Sequence, residues 1–158
     1  MKKRQVTQVA PSNVVCFDFD EFQRWMAQSE QTLRSAYVDA KHEFYNWSCF
    51  KAHQAGEYSL KAILHGLGLS AIGHSVLVLL NLLSDQGIQI PDSLFADARA
   101  LDRHYIPPRY ADAYPSGSPF EFYDEQTACE ALKASERVIE FTRKLKDSVT
   151  SDKEGASG

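Results

Sequence analysis

The chain has 158 residues, 44% of them hydrophobic and 24% charged, which is the composition of an ordinary globular protein with one domain and a sizeable core. A formal net charge of −4 excludes general attraction to polyanions, so any nucleic-acid contact has to come from a local patch. The three cysteines are odd in number and far apart. They match neither a disulfide framework nor a metal clip, and they favour a reducing compartment.

No membrane-spanning segment is predicted. The basic N-terminus, Met1–Gln5, is not followed by an apolar stretch of the kind that a signal peptide needs. The longest apolar run, residues 76–80, is far too short to cross a bilayer. We therefore expect a cytoplasmic protein.

The first half of the chain predicts an arm followed by two long helices. Residues 1–17 carry no apolar periodicity and are predicted to be a flexible N-terminal arm. Asp18 is then placed to cap a helix, with Glu21 three residues later. Apolar residues recur at helical spacings, which predicts helix one over about 20–41 and helix two over about 45–67.

Two shorter helices are predicted next. Helix three, over about 75–85, is almost wholly apolar, so we expect it to lie in the middle of the bundle. Helix four begins at Pro91–Asp92, because proline is well tolerated in a first turn. It cannot continue through Pro107–Pro108.

The last part of the chain combines a loop with a final helix. Proline, glycine and aromatic residues fill 106–123, which predicts a long ordered loop of a kind that often carries function. Helix five follows over about 124–146, and the small polar residues of 148–158 predict a disordered tail. No β pattern is present. The sequence therefore predicts an all-α fold, an up-and-down bundle of about five helices with a long ordered loop before the last helix, in one domain over 18–147.

The turn 103–110 concentrates cationic and aromatic side chains on a backbone that Pro107–Pro108 stiffens. Arginine forks suit phosphate oxygens, and tyrosine or histidine rings can stack on a base. The candidate binding residues of this turn are Arg103, His104, Tyr105, Arg109 and Tyr110. A structural interpretation is slightly favoured, because tyrosine-rich loops commonly anchor against helical bundles; both arginines would then pair with Asp102 and Asp112.

Arg99 and His104 have an Arg-x4-His spacing. Arginine can stabilise a scissile phosphate while histidine moves a proton in metal-independent RNA cleavage. On a regular helix, however, the two residues would lie about 140° apart around the axis. They could cooperate only across a helix break or a two-fold axis between subunits, so coincidence is favoured over catalysis.

Glu57 and Lys61 have the i, i+4 spacing of a helical ion pair. We expect Glu57 to lie in a pair at the surface or at a subunit interface. Lys61 could reach an anion, although packing of its stem with a solvated head is the simpler interpretation. Three other histidines, His53, His65 and His74, lack partners at ligand spacing, so no structural metal and no cofactor are predicted.

Several segments taken together resemble the HEPN domain (higher eukaryotes and prokaryotes nucleotide-binding). They are 50–64, 73–77 and 101–110, followed by Ala128 and Ala131 of helix five. The resemblance extends from about Phe22 to Lys144. It implies an up-and-down helical bundle that forms a homodimer and works with a minimal nucleotidyltransferase in a toxin–antitoxin-like pair.

Some HEPN members are metal-independent RNases with an Arg-x4–6-His motif, and others only bind nucleotides. The turn formed by Tyr105, Arg109 and Tyr110 is similar to one branch, although Ala111 stands where that turn usually has proline. Ala100 stands where the RNase motif normally has a polar residue. The resemblance therefore implies nucleotide or RNA binding, by Lys61 and the candidate residues of the turn, with no catalytic residue. The alternatives are an RNase toxin of the same fold and a non-enzymatic helical dimerisation protein.

Overall fold

The computed structural model describes residues 16–152, and it is built from five α helices. These are α1 (Phe19–Lys41), α2 (Tyr45–Gly66), α3 (Val76–Asp85), α4 (Asp92–Asp102) and α5 (Glu125–Ser151). No strand occurs within residues 16–152. The predicted all-α bundle of about five helices is confirmed. No helix in this part of the chain has both the length and the apolar character needed to cross a membrane.

The domain begins slightly before the predicted boundary. Asp18 caps α1 as predicted, because its carboxylate accepts a hydrogen bond of 3.0 Å from the Glu21 backbone N–H. Phe17, which was assigned to the arm, packs instead on the core and on Gly66 at the end of α2. A Cβ atom at position 66 would lie 2.4 Å from the Phe17 ring, so only glycine allows this approach. The rest of the predicted arm, residues 1–15, lies outside the described residues.

The central helix of the bundle is α2. It contacts each of the other four helices, and 15 of its 22 residues are buried, several of them polar. The prediction that the apolar α3 would lie in the middle is wrong. One face of α3 packs on α2 and α4, but Val78 on the other face is 51% exposed. Apolar composition alone cannot indicate whether a short helix is covered on one side or on both.

The long loop before α5 is ordered by short-range contacts. Two short 3-10 helices, Ala111–Ala113 and Pro119–Phe122, divide it. The rings of Tyr114 and Phe122 stack between them with centroids 4.0 Å apart. The chain then enters α5, which continues to Ser151, beyond the predicted start of a disordered tail at 148. Residues 153–158 of that predicted tail lie outside the described residues.

Candidate functional site

Tyr105 lies at the centre of the candidate site. The chain leaves α4 at Asp102 and crosses α2 in a series of turns, which places the Tyr105 ring over that helix. His74 stacks on the ring with centroids 5.0 Å apart, and His53 of α2 lies 5.2 Å away. The Arg109 guanidinium carbon is 4.6 Å from the same ring. The predicted turn therefore forms a compact cluster with side chains from α2 and from the start of α3.

Arg109 is held by three aromatic rings. Its guanidinium carbon lies 4.2 Å from the Phe50 centroid and 5.0 Å from that of Tyr110, in addition to its contact with Tyr105. Its Nε donates a hydrogen bond of 2.8 Å to the Tyr105 carbonyl. Within residues 16–152, no carboxylate pairs with Arg109 and its two terminal nitrogens donate no hydrogen bond. The alternative in which Asp112 neutralises this arginine is therefore wrong. A fixed, unpaired guanidinium is suited to bind an oxyanion.

The backbone that carries Arg109 is anchored to α2. Asn46, which is buried on that helix, donates a hydrogen bond of 3.0 Å to the Pro108 carbonyl. The Arg109 N–H donates to the Ile106 carbonyl at 3.1 Å and closes the turn. These bonds, together with two consecutive prolines, hold the arginine in place before any ligand arrives. The Arg109 side chain therefore loses little conformational entropy when a ligand binds.

Arg109 also lines an open cavity of about 440 Å³. We call this cavity the aromatic groove. Its walls come from the connection between α1 and α2, from the start of α2, from the proline turn and from the loop before α5: Glu43, Phe44, Asn46, Trp47, Pro108, Arg109, Pro119 and Phe120. Three of its rings are strongly exposed, with Phe44 at 56%, Trp47 at 43% and Phe120 at 66%.

A second set of contacts reaches Tyr105 through His74, on what we call the inner side of the ring. Lys61 donates a hydrogen bond of 2.9 Å to Glu57 Oε1, and His74 Nδ1 lies 3.2 Å from the same oxygen. Glu57 is only 1% exposed, so the prediction of a surface or interface pair is wrong. The Lys61 head is likewise buried, not solvated. Lys61 is connected to Tyr105 only through Glu57 and His74, and it is not grouped with Arg109.

Asp102 organises the start of α3. It accepts hydrogen bonds from the Ser75 hydroxyl at 2.7 Å, from the backbone N–H groups of Val76 and Leu77, and from His53 Nε2 at 3.1 Å. Burial by itself raises the pKa of this carboxyl, but these hydrogen bonds outweigh it and hold the pKa below its usual value. Asp102 therefore does not pair with an arginine, as the structural interpretation of the turn required.

His104 points away from the aromatic groove. Its Nδ1 lies 3.4 Å from the Tyr123 hydroxyl, and the two rings meet edge to face. Burial, and then the charges of His53 and Arg103, lower the pKa of His104 to about 4. The imidazole is thus neutral at pH 7 and is a poor phosphate ligand. Arg103 is exposed and forms no ion pair within residues 16–152.

The Arg-x4-His pair is not assembled within one chain. Arg99 is exposed in the last turn of α4, whereas His104 follows the end of that helix and packs on Tyr123. No hydrogen bond or ion pair connects the two side chains in the described part of the chain. Of the six predicted nucleotide-binding residues, the structure brings together Tyr105, Arg109 and Tyr110. Lys61, Arg103 and His104 lie apart from this group.

Phe50, His53 and His74 were not predicted to belong to the cluster, whereas Lys61 was predicted as a binding residue and Glu57 as its partner. Phe50, His53, Glu57 and Lys61 follow one another along α2 at spacings of three and four, which places them on one face of the helix. That spacing is a signal that could have grouped them. By contrast, the approach of Phe50 to Arg109 joins positions that are far apart in the sequence, and no local pattern indicates it.

The helical bundle, with its long loop crossing the central helix, defines the class of protein, and comparison with known proteins gives the family. A family model described as the HEPN domain matches residues 22–145. The chain therefore belongs to the HEPN domain family. A search of curated proteins finds no match.

Solved structures that are similar to the chain include the following three. TT1696 from Thermus thermophilus is 35% identical with a TM-score of 0.77, over 80% of this chain and 98% of that one. ST0689, an archaeal HEPN homologue, is 29% identical with a TM-score of 0.67, over 78% of this chain and 96% of that one. TM0613, a HEPN domain protein from Thermotoga maritima, is 35% identical with a TM-score of 0.64, over 78% of this chain and 98% of that one.

Proposed function

We propose that this HEPN domain binds the phosphate of a nucleotide or of RNA at Arg109. The observation that carries the proposal is the state of the Arg109 guanidinium, which is stacked among three rings and has no carboxylate partner within residues 16–152. This guanidinium is partly buried, and its terminal N–H groups have no acceptor within residues 16–152. A phosphate oxygen satisfies the free N–H groups with charge-assisted hydrogen bonds.

The proposal includes two protein contacts that follow from the resemblance to HEPN domains. One is self-association into a homodimer, and the other is a minimal nucleotidyltransferase that works with this chain in a toxin–antitoxin-like pair. Val78 of α3 is exposed and Leu77 and Leu82 are partly exposed, which is consistent with a face that a second subunit covers. Sedimentation of the purified chain at micromolar concentration tests the first contact, since a monomer alone would contradict it.

The binding step does not require cleavage. The RNase alternative needs an accessible, titratable His104 close to an arginine, whereas the pKa of His104 is lowered to about 4 and its ring faces Tyr123. We therefore propose binding without catalysis. RNA degradation in EDTA that is lost on His104→Ala would contradict this part of the proposal.

The direct test is a comparison of Arg109→Ala with Arg24→Ala. Arg24 is an exposed arginine of α1 that pairs with Glu21 outside the site, so it controls for the loss of one positive charge. We expect Arg109→Ala to weaken the binding of ATP, GTP or a short RNA by roughly 1.5–3 kcal/mol, the range for a hydrogen bond to a charged group. Thermal shift measures it, because a ligand that binds the native state raises the apparent stability. Equal affinities in the two variants would remove Arg109 from the site.

A further inference from the structure

The turn that connects α1 to α2 contains an unusual residue. Glu43 has a φ angle of 65°, in the left-handed region. The Glu43 N–H donates to the Ala40 carbonyl at 3.1 Å and the Phe44 N–H donates to the Asp39 carbonyl at 2.8 Å. This is the hydrogen-bond pattern of a Schellman motif, in which glycine is the usual residue at the left-handed position. A glutamate here strains the backbone, and such strain is often found at functional sites.

Glu43 is exposed and lines the aromatic groove. The groove therefore contains one anionic group and one cationic group, Glu43 and Arg109, which reach it from different parts of the chain. Between them are exposed rings, notably Trp47 and Phe120. A cavity of about 440 Å³ is within the range of small-molecule sites, and exposed aromatic rings are the usual platforms for stacked bases.

We propose that the aromatic groove binds the base and ribose of a ribonucleotide whose phosphate lies on Arg109. This inference rests on the proposed function and adds the sites at which the base and the ribose bind. The base stacks on Trp47 or Phe120. The Glu43 carboxylate accepts hydrogen bonds from the ribose hydroxyls, as acidic residues do in other nucleotide sites. Because this carboxylate repels phosphate while Arg109 attracts it, the two charges fix the direction in which the nucleotide binds.

The charges of Glu43 and Arg109 indicate which kind of ligand the aromatic groove binds. An apolar helix from a partner would gain nothing from a cation and an anion inside its groove, and it would have to desolvate both. A ribonucleotide offers a matching group to each of them: phosphate oxygens that accept from the guanidinium, and hydroxyls that donate to the carboxylate. The ligand class is therefore a ribonucleotide with free ribose hydroxyls, and a deoxyribonucleotide binds less tightly.

Tryptophan fluorescence tests the proposal directly. The chain has two tryptophans, and Trp25 packs on Tyr58 and His65 instead of lining the groove. In a Trp25→Phe background, Trp47 is the only tryptophan and reports stacking. We expect adenosine monophosphate to quench its fluorescence and to bind about tenfold tighter than ribose 5-phosphate, which has no base. Calorimetry on Trp47→Ala should show that adenosine monophosphate no longer binds more tightly than ribose 5-phosphate. Phe19→Ala, which removes an exposed ring outside the groove, should keep the difference in affinity.

Two measurements, ligand affinity and melting temperature, test the role of Glu43. The 2′,3′-dideoxy form of adenosine monophosphate, which lacks both hydroxyls, should bind several-fold more weakly than the ribonucleotide. Glu43→Gly should abolish this difference and, at the same time, raise the melting temperature, because glycine relieves the left-handed strain. A variant that keeps the full preference for ribose would overturn the role of Glu43.

The outcomes separate this inference from the function on which it rests. If pyrophosphate, ribose 5-phosphate and adenosine monophosphate all fail to bind, the proposed function fails. If all three bind with equal affinity through Arg109, and Trp47→Ala changes nothing, the phosphate site stands and the ribonucleotide groove is overturned. The inference is also overturned if Trp47→Ala dissociates a dimer in light scattering and leaves nucleotide affinity unchanged, since the groove would then be a subunit interface.

Discussion

The two sides of the Tyr105 ring differ in how their charges are matched. On the inner side, Lys61 pairs with Glu57 and Asp102 accepts hydrogen bonds from four donors. On the outer side, the Arg109 guanidinium rests on aromatic rings and its terminal nitrogens have no partner within residues 16–152. Both sides contain charged residues that are partly or wholly buried. The inner charges stabilise the fold through paired contacts, whereas the outer guanidinium is the group that we propose binds phosphate.

The largest effect is expected on the inner side. Glu57→Ala should lower the free energy of unfolding by about 3–5 kcal/mol, because it leaves the Lys61 ammonium buried without its partner. Urea denaturation of the variant measures this change. A loss below about 1 kcal/mol would contradict the burial of this pair, since the pair would then behave as a surface salt bridge.

The matched control for that experiment replaces both members of the pair. Glu57 Oε2 is buried and accepts no hydrogen bond from the described residues, so the pair already contains an unsatisfied acceptor. Glu57→Leu combined with Lys61→Met removes both charges and this acceptor. The double variant should recover most of the stability that Glu57→Ala loses. Failure to recover it would indicate that Glu57 acts through His74 or another neighbour and not through Lys61.

A smaller effect is expected from His104, which belongs to the same turn as Arg109 but faces inward. Its pKa is lowered to about 4 in the folded protein, against 6.5 as its ordinary value. As the pH falls from about 6.5 to about 4, the unfolded chain therefore takes up a proton that the folded chain does not. Folding stability from this group is fully present above pH 6.5 and is lost as the pH approaches 4, by at most about 3 kcal/mol.

His104→Gln isolates this contribution from the other groups that titrate in the same range. Urea midpoints measured at pH 7.5, 6 and 5 should fall more steeply for the natural chain than for the variant. Parallel curves would show that His104 is accessible to protons in the folded state. That result would place its imidazole on the outer side of the turn, with Arg109.

Much of the fold could be predicted from the sequence because its signals are local. Helical periodicity indicated α1, α2 and α5, and Asp18 marked the first helix start by a hydrogen bond that spans only three residues. Burial was harder to predict. The apolar α3 lies at the edge and the polar residues of α2 lie inside, because the neighbours that cover each helix come from distant parts of the chain.

The candidate site could also be predicted only where its residues are close together in the sequence. Tyr105, Arg109 and Tyr110 fall within six positions, so their grouping was evident from the sequence. The i, i+4 spacing of Glu57 and Lys61 predicted their ion pair but not its burial. The aromatic groove could not be predicted, since Trp47 and Phe120 come together only through the path of the long loop.

The most direct test of the difference between the two sides is a thermal unfolding experiment with and without ATP on Glu57→Ala and Arg109→Ala. The two variants should show opposite patterns. Glu57→Ala should melt at a much lower temperature but keep its ATP-induced rise in melting temperature. Arg109→Ala should lose only the smaller stability of its ring contacts and its hydrogen bond, but it should lose the ATP-induced rise. An ATP-induced rise that survives in Arg109→Ala, or that disappears only in Glu57→Ala, would contradict the assignment of binding to the outer side.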